Sequence, residues 1–197
     1  MRRAVIGAAA VLILAVLVAL GLSQAGSGTG GTTATVPPAP TKAELARKLA
    51  GAPPALAALH ARANTLLPGG KGTLETELKA LKGHPVIVNK WASWCGPCRA
   101  EFPVFQRVGA DFGKRVAFLG LDAGDNHDNA ATFLARYPVS YPSIEDPRER
   151  AAASLKAGTV YPITIFYRAD GSRSYIHQGG YATPEKLEAD IERYALR

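Results

Sequence analysis

The sequence is poor in cysteine: it has two in 197 residues, and both lie in the pentapeptide WCGPC at positions 94–98. Two cysteines form at most one bridge, which excludes a small domain held together by several disulfides. A four-ligand zinc site has no support either, because the chain lacks a second C-x-x-C pair and an H-x3-H pair. We therefore predict no bound metal and no cofactor, and expect the two thiols to carry the chemistry.

The sequence also lacks a long run of basic residues. It carries 23 Lys and Arg against 16 Asp and Glu, for a net charge of +7, yet no five basic residues are consecutive. Arg2 and Arg3 supply two of those charges, and elsewhere basic and acidic side chains are interspersed. Nucleic-acid binding needs a concentrated basic patch, so we predict no nucleic-acid partner.

The sequence has too few polar residues to be disordered as a whole, because 47% of its residues are hydrophobic. Part of that share is one run of 19 residues without a charge, at positions 4–22. As a helix rising about 1.5 Å per residue, this run nearly spans the roughly 30 Å hydrocarbon core of a bilayer. The chain from Thr41 onward is long enough for one α/β domain.

The amino-terminal run has two interpretations, an uncleaved anchor and a signal peptide. The apolar region of a signal peptide is usually about 7–15 residues long, so we favour residues 1–22 as a transmembrane anchor. In the alternative, Ser23-Gln24-Ala25 is the cleavage site and the protein is secreted or periplasmic. In both cases Arg2 and Arg3 stay inside and the remaining chain is extracytoplasmic.

Two segments are predicted between this run and the main domain. Residues 23–41 are rich in Gly, Ser and Thr and then in Pro, a composition typical of an extended linker. Residues 42–84 are predicted as a helical extension: helix-forming residues fill 42–67, with a break at Pro53-Pro54, and return at 74–81. The sequence assigns no role to this extension.

From residue 85 the pattern changes to strands alternating with helices. Uninterrupted apolar runs predict buried strands, and Asp170-Gly171 predicts a hairpin turn. The predicted elements are a strand at 86–88, a helix, a strand at 116–121, helices at 128–137 and 148–156, strands at 163–167 and 172–177, and a helix after Thr183. This order, β-α-β-α-α-β-β-α, predicts a three-layer α/β fold over residues 85–197, with a mixed central sheet.

The pentapeptide falls between the first buried strand and the following helix. Positions i and i+3 of a helix share a face, so the sulfurs of Cys95 and Cys98 can form a reversible bond. At a helix start, free N–H groups and the helix dipole stabilise a thiolate. A bond that closes so short a loop adds little stability, which favours redox exchange over a structural staple.

The string VNKWASWCGPCRAEFP at 88–103 resembles the thioredoxin superfamily, and within it the TlpA/ResA-like membrane-tethered thiol-disulfide oxidoreductases. The resemblance covers residue 85 to the carboxyl end. It implies a thioredoxin-like fold, with Cys95 as the attacking thiol and Cys98 as the thiol that resolves the mixed disulfide. By the same resemblance Trp94, Gly96 and Pro97 shape the site.

The resemblance also implies that Tyr161-Pro162 is a cis peptide facing the C-x-x-C pair and positioning the substrate. Four positions depart from the family pattern, and two of them flank the proline: Val160 and Ile163 stand where the family usually has Gly and Thr. Asn89 stands where thioredoxin has a buried acid, and Glu101 is the candidate that takes over its proton transfer, the alternative being a solvated surface acid. Lys90 stands where the family usually has an aromatic residue.

The resemblance implies an enzyme that exchanges disulfides with exported proteins, acting as a reductase in cytochrome c maturation or in maintaining envelope thiols. A membrane redox partner would then reset the dithiol. Two alternatives remain open: a peroxiredoxin-like peroxidase, disfavoured because a Thr-x-x-Cys motif is absent, and a copper-delivery module with two thiolates and a distant histidine as ligands.

Overall fold

A computed structural model describes residues 38–156 and 158–197. The predicted anchor at 4–22 and most of the predicted linker lie outside these residues. Within the described part of the chain, no helix is both long and apolar enough to cross a membrane.

Helices and strands follow one another along the described chain. They are α1 (Lys42–Leu49), α2 (Pro54–His60), β1 (Leu66–Leu67), α3 (Gly70–Ala80), β2 (Val86–Trp91), α4 (Gly96–Phe112), β3 (Ala117–Ala123), α5 (His127–Arg136), β4 (Ser143–Asp146), α6 (Arg150–Ser154), β5 (Ile163–Tyr167), β6 (Arg173–Gln178) and α7 (Pro184–Asp190), with a π-helical turn at Ile191–Ala195.

Side chains fix the starts of several helices by accepting the free backbone N–H groups of the first turn. The Thr41 hydroxyl and the Glu44 carboxylate form a reciprocal capping box at α1. Asn126 accepts the N–H of Asn129 at α5, and the Cys95 sulfur accepts that of Cys98 at α4. The boundary of the functional helix is therefore set by one of the two cysteines.

The strands form one mixed sheet in the order β1-β4-β3-β2-β5-β6. Strands β1, β4, β3 and β2 run parallel to one another, whereas β5 runs antiparallel to β2 and β6 runs antiparallel to β5. The predicted mixed sheet and the terminal hairpin are therefore confirmed. β2 lies inside the sheet, with β3 on one side and β5 on the other.

Two strands differ from the prediction. The helical run predicted to reach Leu67 is wrong at its end, because Leu66 and Leu67 pair with Ser143 and Ile144 as the edge strand β1. The two helices predicted in succession at 128–137 and 148–156 are separated by β4. Thus part of the predicted helical extension, residues 42–84, contributes a strand to the same sheet as the rest of the fold.

Helices cover both faces of the sheet, giving the three layers predicted from the sequence. On one face α4, α5 and α7 pack over a cluster that contains Trp91, Phe102 and Phe133. On the other face α2, α3 and α6 pack over a second cluster that contains Leu59, Leu119 and Ile165. Both clusters consist of buried side chains, so each β2 residue points into a buried layer on one face or the other.

All six residues of β2 are buried, including the polar pair Asn89 and Lys90. Successive side chains of a strand point to opposite faces. Asn89 therefore shares the α4 face with Ile87 and Trp91, whereas Lys90 lies on the opposite face. Each side chain needs polar partners at these depths. The Asn89 amide donates to Glu101 on α4, although its Oδ1 has no partner among the described residues, and the Lys90 ammonium donates to two carbonyls of the loop before β5.

Candidate active site

The site is built on the first turn of α4. Cys95 caps this helix with extended backbone dihedral angles, and its Sγ accepts the Cys98 N–H at 3.1 Å. The two sulfurs are joined in a disulfide of 2.03 Å, and the Cα atoms are 5.3 Å apart. The predicted proximity of Cys95 and Cys98 is therefore present in the fold.

The two sulfurs differ in depth. Cys95 keeps 3% of its surface exposed and Cys98 none. In the disulfide form both are covered. The role of Cys95 as the attacking thiol requires an accessible sulfur, which we predict for the reduced protein. The position of Cys95 at the cap, one turn outside Cys98, is the arrangement in which an outer thiol meets the substrate first.

Glu101 lies one turn further along α4 and is buried, with 1% of its surface exposed. Its Oε1 accepts the Asn89 side-chain N–H at 2.8 Å, and its Oε2 accepts the Tyr181 backbone N–H at 3.1 Å. Burial raises the pKa of the Glu101 carboxyl to about 7, against the opposing effect of these two hydrogen bonds. The alternative of a solvated surface acid is wrong.

Tyr181 and its neighbour Gly180 are site residues that the sequence did not indicate. They follow β6, 80 residues from Glu101, in the loop Gly179-Gly180-Tyr181 before α7. The Gly179 N–H donates to the Pro162 carbonyl at 3.0 Å and ties this loop to the proline. A paired glycine before a helix is an ordinary turn signal, so the sequence held no sign of the contact with Glu101.

The Tyr161-Pro162 peptide is cis, as the resemblance implied. Pro162 lies beside the first turn of α4. A Cβ built on Gly180 would be 3.5 Å from the Pro97 carbonyl oxygen, and 3.7 Å from both the Glu101 Oε2 and the Pro162 Cγ. Three of the predicted site residues, Pro97, Glu101 and Pro162, therefore meet around Gly180.

Exposed apolar side chains lie on the rim of this site. Trp94 is 58% exposed, stacks at a tilt on Tyr161 with ring centroids 4.9 Å apart, and donates its Nε1–H to the Gly124 carbonyl. Val160 is 48% exposed, and Gly96 and Pro97 are exposed as well. This surface is one on which a polypeptide can lie.

Lys90 supports the loop before β5 from its buried side. Its side chain has no exposed surface, and its Nζ donates to the carbonyls of Gly158 at 3.0 Å and Val160 at 3.4 Å. The ammonium lies 3.8 Å from the centroid of the Tyr161 ring and 3.6 Å from the Glu149 carboxylate. Burial lowers the pKa of Lys90, and the carboxylate opposes that shift. Lys90, at the position where the family usually has an aromatic residue, thus places a cation against the loop that precedes β5.

Acidic side chains occupy the opposite flank of the C-x-x-C loop. Asp125 accepts the Ser93 N–H at 2.5 Å, and buried Asp122 lies near it at the end of β3. Burial first, and then the Asp125 carboxyl, raise the pKa of Asp122 to about 8. Across the described residues, no three His, Cys, Asp or Glu side chains are arranged to hold a metal ion.

Comparison with models of protein families identifies the family to which this sequence belongs. The model of the AhpC/TSA family matches residues 61–173, which is more than half of the chain. The protein belongs to the AhpC/TSA family. The match begins before the predicted domain start at 85 and includes β1 and α3, in accord with the place of β1 in the sheet.

Relatives of this AhpC/TSA family member are named for thiol-disulfide exchange. It is 29% identical over 120 residues to the thiol-disulfide oxidoreductase ResA of Oceanobacillus iheyensis, covering 60% of this chain and 62% of the relative. It is 35% identical over 101 residues to the thiol:disulfide interchange protein CycY of Rhizobium leguminosarum bv. viciae, covering 51% and 53%. The chain thus spans less than two thirds of these two relatives.

A solved structure shows the same fold. A DsbF homologue from Corynebacterium diphtheriae superposes with a TM-score of 0.54 at 29% identity, covering 59% of this chain and 75% of that one. The resemblance to the thioredoxin superfamily, and to its ResA-like members, is confirmed.

Proposed function

We propose that the protein is an extracytoplasmic thiol-disulfide oxidoreductase that exchanges the Cys95–Cys98 pair with exported proteins. The observation that supports this most directly is the cysteine pair at the start of α4, with the buried Glu101 carboxyl one turn beyond it. The names of the relatives agree with this reaction.

The reaction begins with the reduced protein. The Cys95 thiolate attacks a substrate disulfide, forming a Cys95–substrate bond and releasing one substrate thiolate, which takes a proton from water. Glu101 then accepts the proton of Cys98, and the new Cys98 thiolate attacks the Cys95 sulfur. The second substrate thiolate leaves and is protonated, so the substrate gains two electrons and two protons while Cys95 and Cys98 become the observed disulfide.

Glu101 suits the second step because of its position and its pKa. Cys98 and Glu101 are three residues apart on one helix and share a face. A carboxyl with a pKa of about 7 is divided between its two forms near neutral pH, where it can accept and release a proton. Glu101→Gln is therefore expected to slow the resolving step by about 100-fold or more and to leave the first attack nearly unchanged.

Trapping the intermediate tests the exchange reaction. Cys98→Ser is expected to accumulate a mixed disulfide between Cys95 and its substrates, because the resolving thiol is absent. Cys95→Ser is the matched control and is expected to trap far less, since Cys98 is fully buried. Equal trapping by both variants, or trapping through Cys98 alone, would contradict the assigned roles.

The direction of electron flow is proposed to be reduction, in cytochrome c maturation or in maintaining envelope thiols, with a membrane partner that resets the dithiol. A reduction potential near the roughly −270 mV of thioredoxin supports this direction, and one near about −120 mV indicates disulfide formation instead. Other assays would identify the two alternative functions. A peroxidase would consume peroxide using Cys95 without Cys98, and a copper-delivery module would retain bound Cu(I) in the presence of a competing chelator.

A further inference from the structure

The residues that donate hydrogen bonds to the Glu101 carboxyl are buried, and so are its neighbours on the same face of the fold. Asn89 and Tyr181, which donate to its two oxygens, are 1% and 3% exposed, and Cys98 and Phe102 on the same helix are equally covered. Gly180, by contrast, is exposed to solvent. The position that its missing Cβ would occupy is 3.7 Å from the Glu101 Oε2.

A carboxyl that takes one proton in each turnover must return it to solvent before the next. The titratable side chains around Glu101 are Cys98 on its own helix, Tyr141 before β4 and Tyr181 after β6. Tyr141 is buried, with an unpartnered hydroxyl, and no charged side chain of the described residues shifts the pKa of Glu101. These neighbours offer no exit for the proton near neutral pH, because the tyrosine hydroxyls stay protonated and Cys98 is its donor.

We propose that Gly180 is the proton port of Glu101: the carboxyl exchanges its proton with water through the gap left by the missing side chain. This inference rests on the proposed role of Glu101 in the resolving step. The gap is bounded by the Pro97 carbonyl oxygen, the Pro162 Cγ and the Glu101 Oε2, all between 3.5 and 3.7 Å from the vacant Cβ position. The vacant Cβ position of the exposed Gly180 is therefore next to the carboxyl oxygen that also accepts the Tyr181 N–H.

The backbone does not require glycine at this position. Gly179 adopts a φ of +99°, which side chains rarely tolerate, but Gly180 lies outside the left-handed region. The contacts of an added Cβ are ordinary van der Waals distances. Gly180→Ala is therefore expected to fold, and its methyl group would cover the Glu101 Oε2. Gly180→Leu would cover it more completely.

Two measurements on the full chain test the port. In the disulfide form, where no exchange can occur, NMR of carbon-13-labelled glutamate gives the pKa of Glu101 directly. Covering the oxygen is expected to raise this pKa by about half a unit or more in Gly180→Ala, because the charged form loses solvation. In turnover, the resolving step is expected to slow several-fold in Gly180→Ala and further in Gly180→Leu, while the first attack on a small disulfide stays unchanged.

Two controls separate the port from other roles. Gly72→Ala on α3 is also an exposed glycine with nothing within 4 Å of the added Cβ, and it is expected to change neither quantity. In a Glu101→Gln background, Gly180→Leu is expected to add no further slowing, since the group it shields is gone. A slowing that persists in that background would assign Gly180 to substrate contact and overturn the port.

An unchanged pKa of Glu101 in both Gly180 variants would also overturn the port. The titration requires no catalysis, so it gives this answer even if the protein exchanges no disulfides. Failure of the proposed function would instead appear as an absence of mixed disulfides in Cys98→Ser. The two failures are therefore distinguishable.

Discussion

At the scale of single residues, Glu101 is a site where burial and hydrogen bonding act in opposite directions. Burial favours the neutral acid, and the N–H groups of Asn89 and Tyr181 favour the carboxylate. Both donors are neutral, so they soften the cost of burial without removing it. The result is a carboxyl poised near neutral pH inside a protein core.

Glu101 is expected to make folding stability depend on pH. Its pKa rises from 4.5 to about 7 on folding, so the folded state is favoured fully below pH 4.5 and loses that advantage as pH rises to about 7. The loss is roughly 3 kcal/mol for a shift of this size. Urea unfolding of the wild type and Glu101→Gln across this range checks it, with the wild type losing stability relative to the variant.

The comparison with Glu101→Gln is needed because Asp122 changes stability in the same direction. Its pKa is raised to about 8, so it adds its own loss as the pH rises. Since both proteins retain Asp122, the difference between them isolates Glu101. A difference that stays constant from pH 4 to pH 8 would show that Glu101 titrates normally in the folded protein.

The chemistry-bearing residues could be predicted from the sequence because they lie in one short string. Cys95, Cys98 and Glu101 follow one another on a single helix, so helical spacing alone places them together. Gly180 and Tyr181 could not be predicted, because they meet Glu101 only through the pairing of β5 with β6 and the return of the chain. Contacts of this kind leave no local pattern.

At the scale of secondary structure elements, the loop before β5 depends on a side chain from β2. Lys90 binds the carbonyls of Gly158 and Val160 and supports the ring of Tyr161 from below. Tyr161 in turn contacts Trp94 and donates its hydroxyl hydrogen to the Ala123 carbonyl. The exposed surface of the site is therefore supported by a buried ammonium.

Lys90→Met is expected to weaken substrate binding. The variant keeps an unbranched apolar chain but leaves two loop carbonyls without their donor, at a cost of about 1 kcal/mol each. We expect KM for a protein substrate to rise about 5–10-fold, which corresponds to about 1–1.4 kcal/mol, with the resolving rate unchanged. Steady-state and single-turnover kinetics together separate the two quantities.

Lys79→Met, at an exposed position on α3, is the matched control and should change neither KM nor rate. Overall stability is a poor readout for Lys90, because removing a buried charge also removes its desolvation cost. A fall in the resolving rate without a change in KM would contradict the role assigned to Lys90 and connect it with Glu101 instead.

The two strands that could not be predicted from the sequence, β1 and β4, depend on pairing with adjacent strands of the sheet. β1 has only two residues and exists because they pair with β4. β4 follows Pro142 and ends in Glu145 and Asp146, so it has neither the length nor the apolar run of the predicted strands. β2, β3 and β5 are continuous apolar runs with one or two polar residues, and these could be predicted.

At the scale of the whole molecule, we propose that residues 1–22 anchor the chain, that 23–41 form a linker, and that the remainder lies outside the cytoplasmic membrane. The two arginines before the apolar run support this orientation. Protease added to intact spheroplasts is expected to remove the domain, while a cytoplasmic marker stays intact.

Replacing Arg2 and Arg3 by glutamate is expected to reduce the fraction of chain that the protease reaches, since these charges set the orientation. Full protection of the unaltered chain would refute export. Recovery of a domain with Gly26 as its amino end, free of membrane, would keep export and replace the anchor by a cleaved signal.

The pleat of β2 makes two properties of the protein independently adjustable. Asn89 acts toward Glu101 on one face, and Lys90 acts toward the loop before β5 on the other. Although they are adjacent in sequence, the two side chains point to opposite faces of the sheet and share no partner. The effects of Asn89→Ala and Lys90→Met on the free energies of substrate binding and of the resolving step should therefore add in the double variant to within about 0.5 kcal/mol. Evolution, or a designer, can thus retune substrate affinity and pH profile one at a time by changing neighbouring codons.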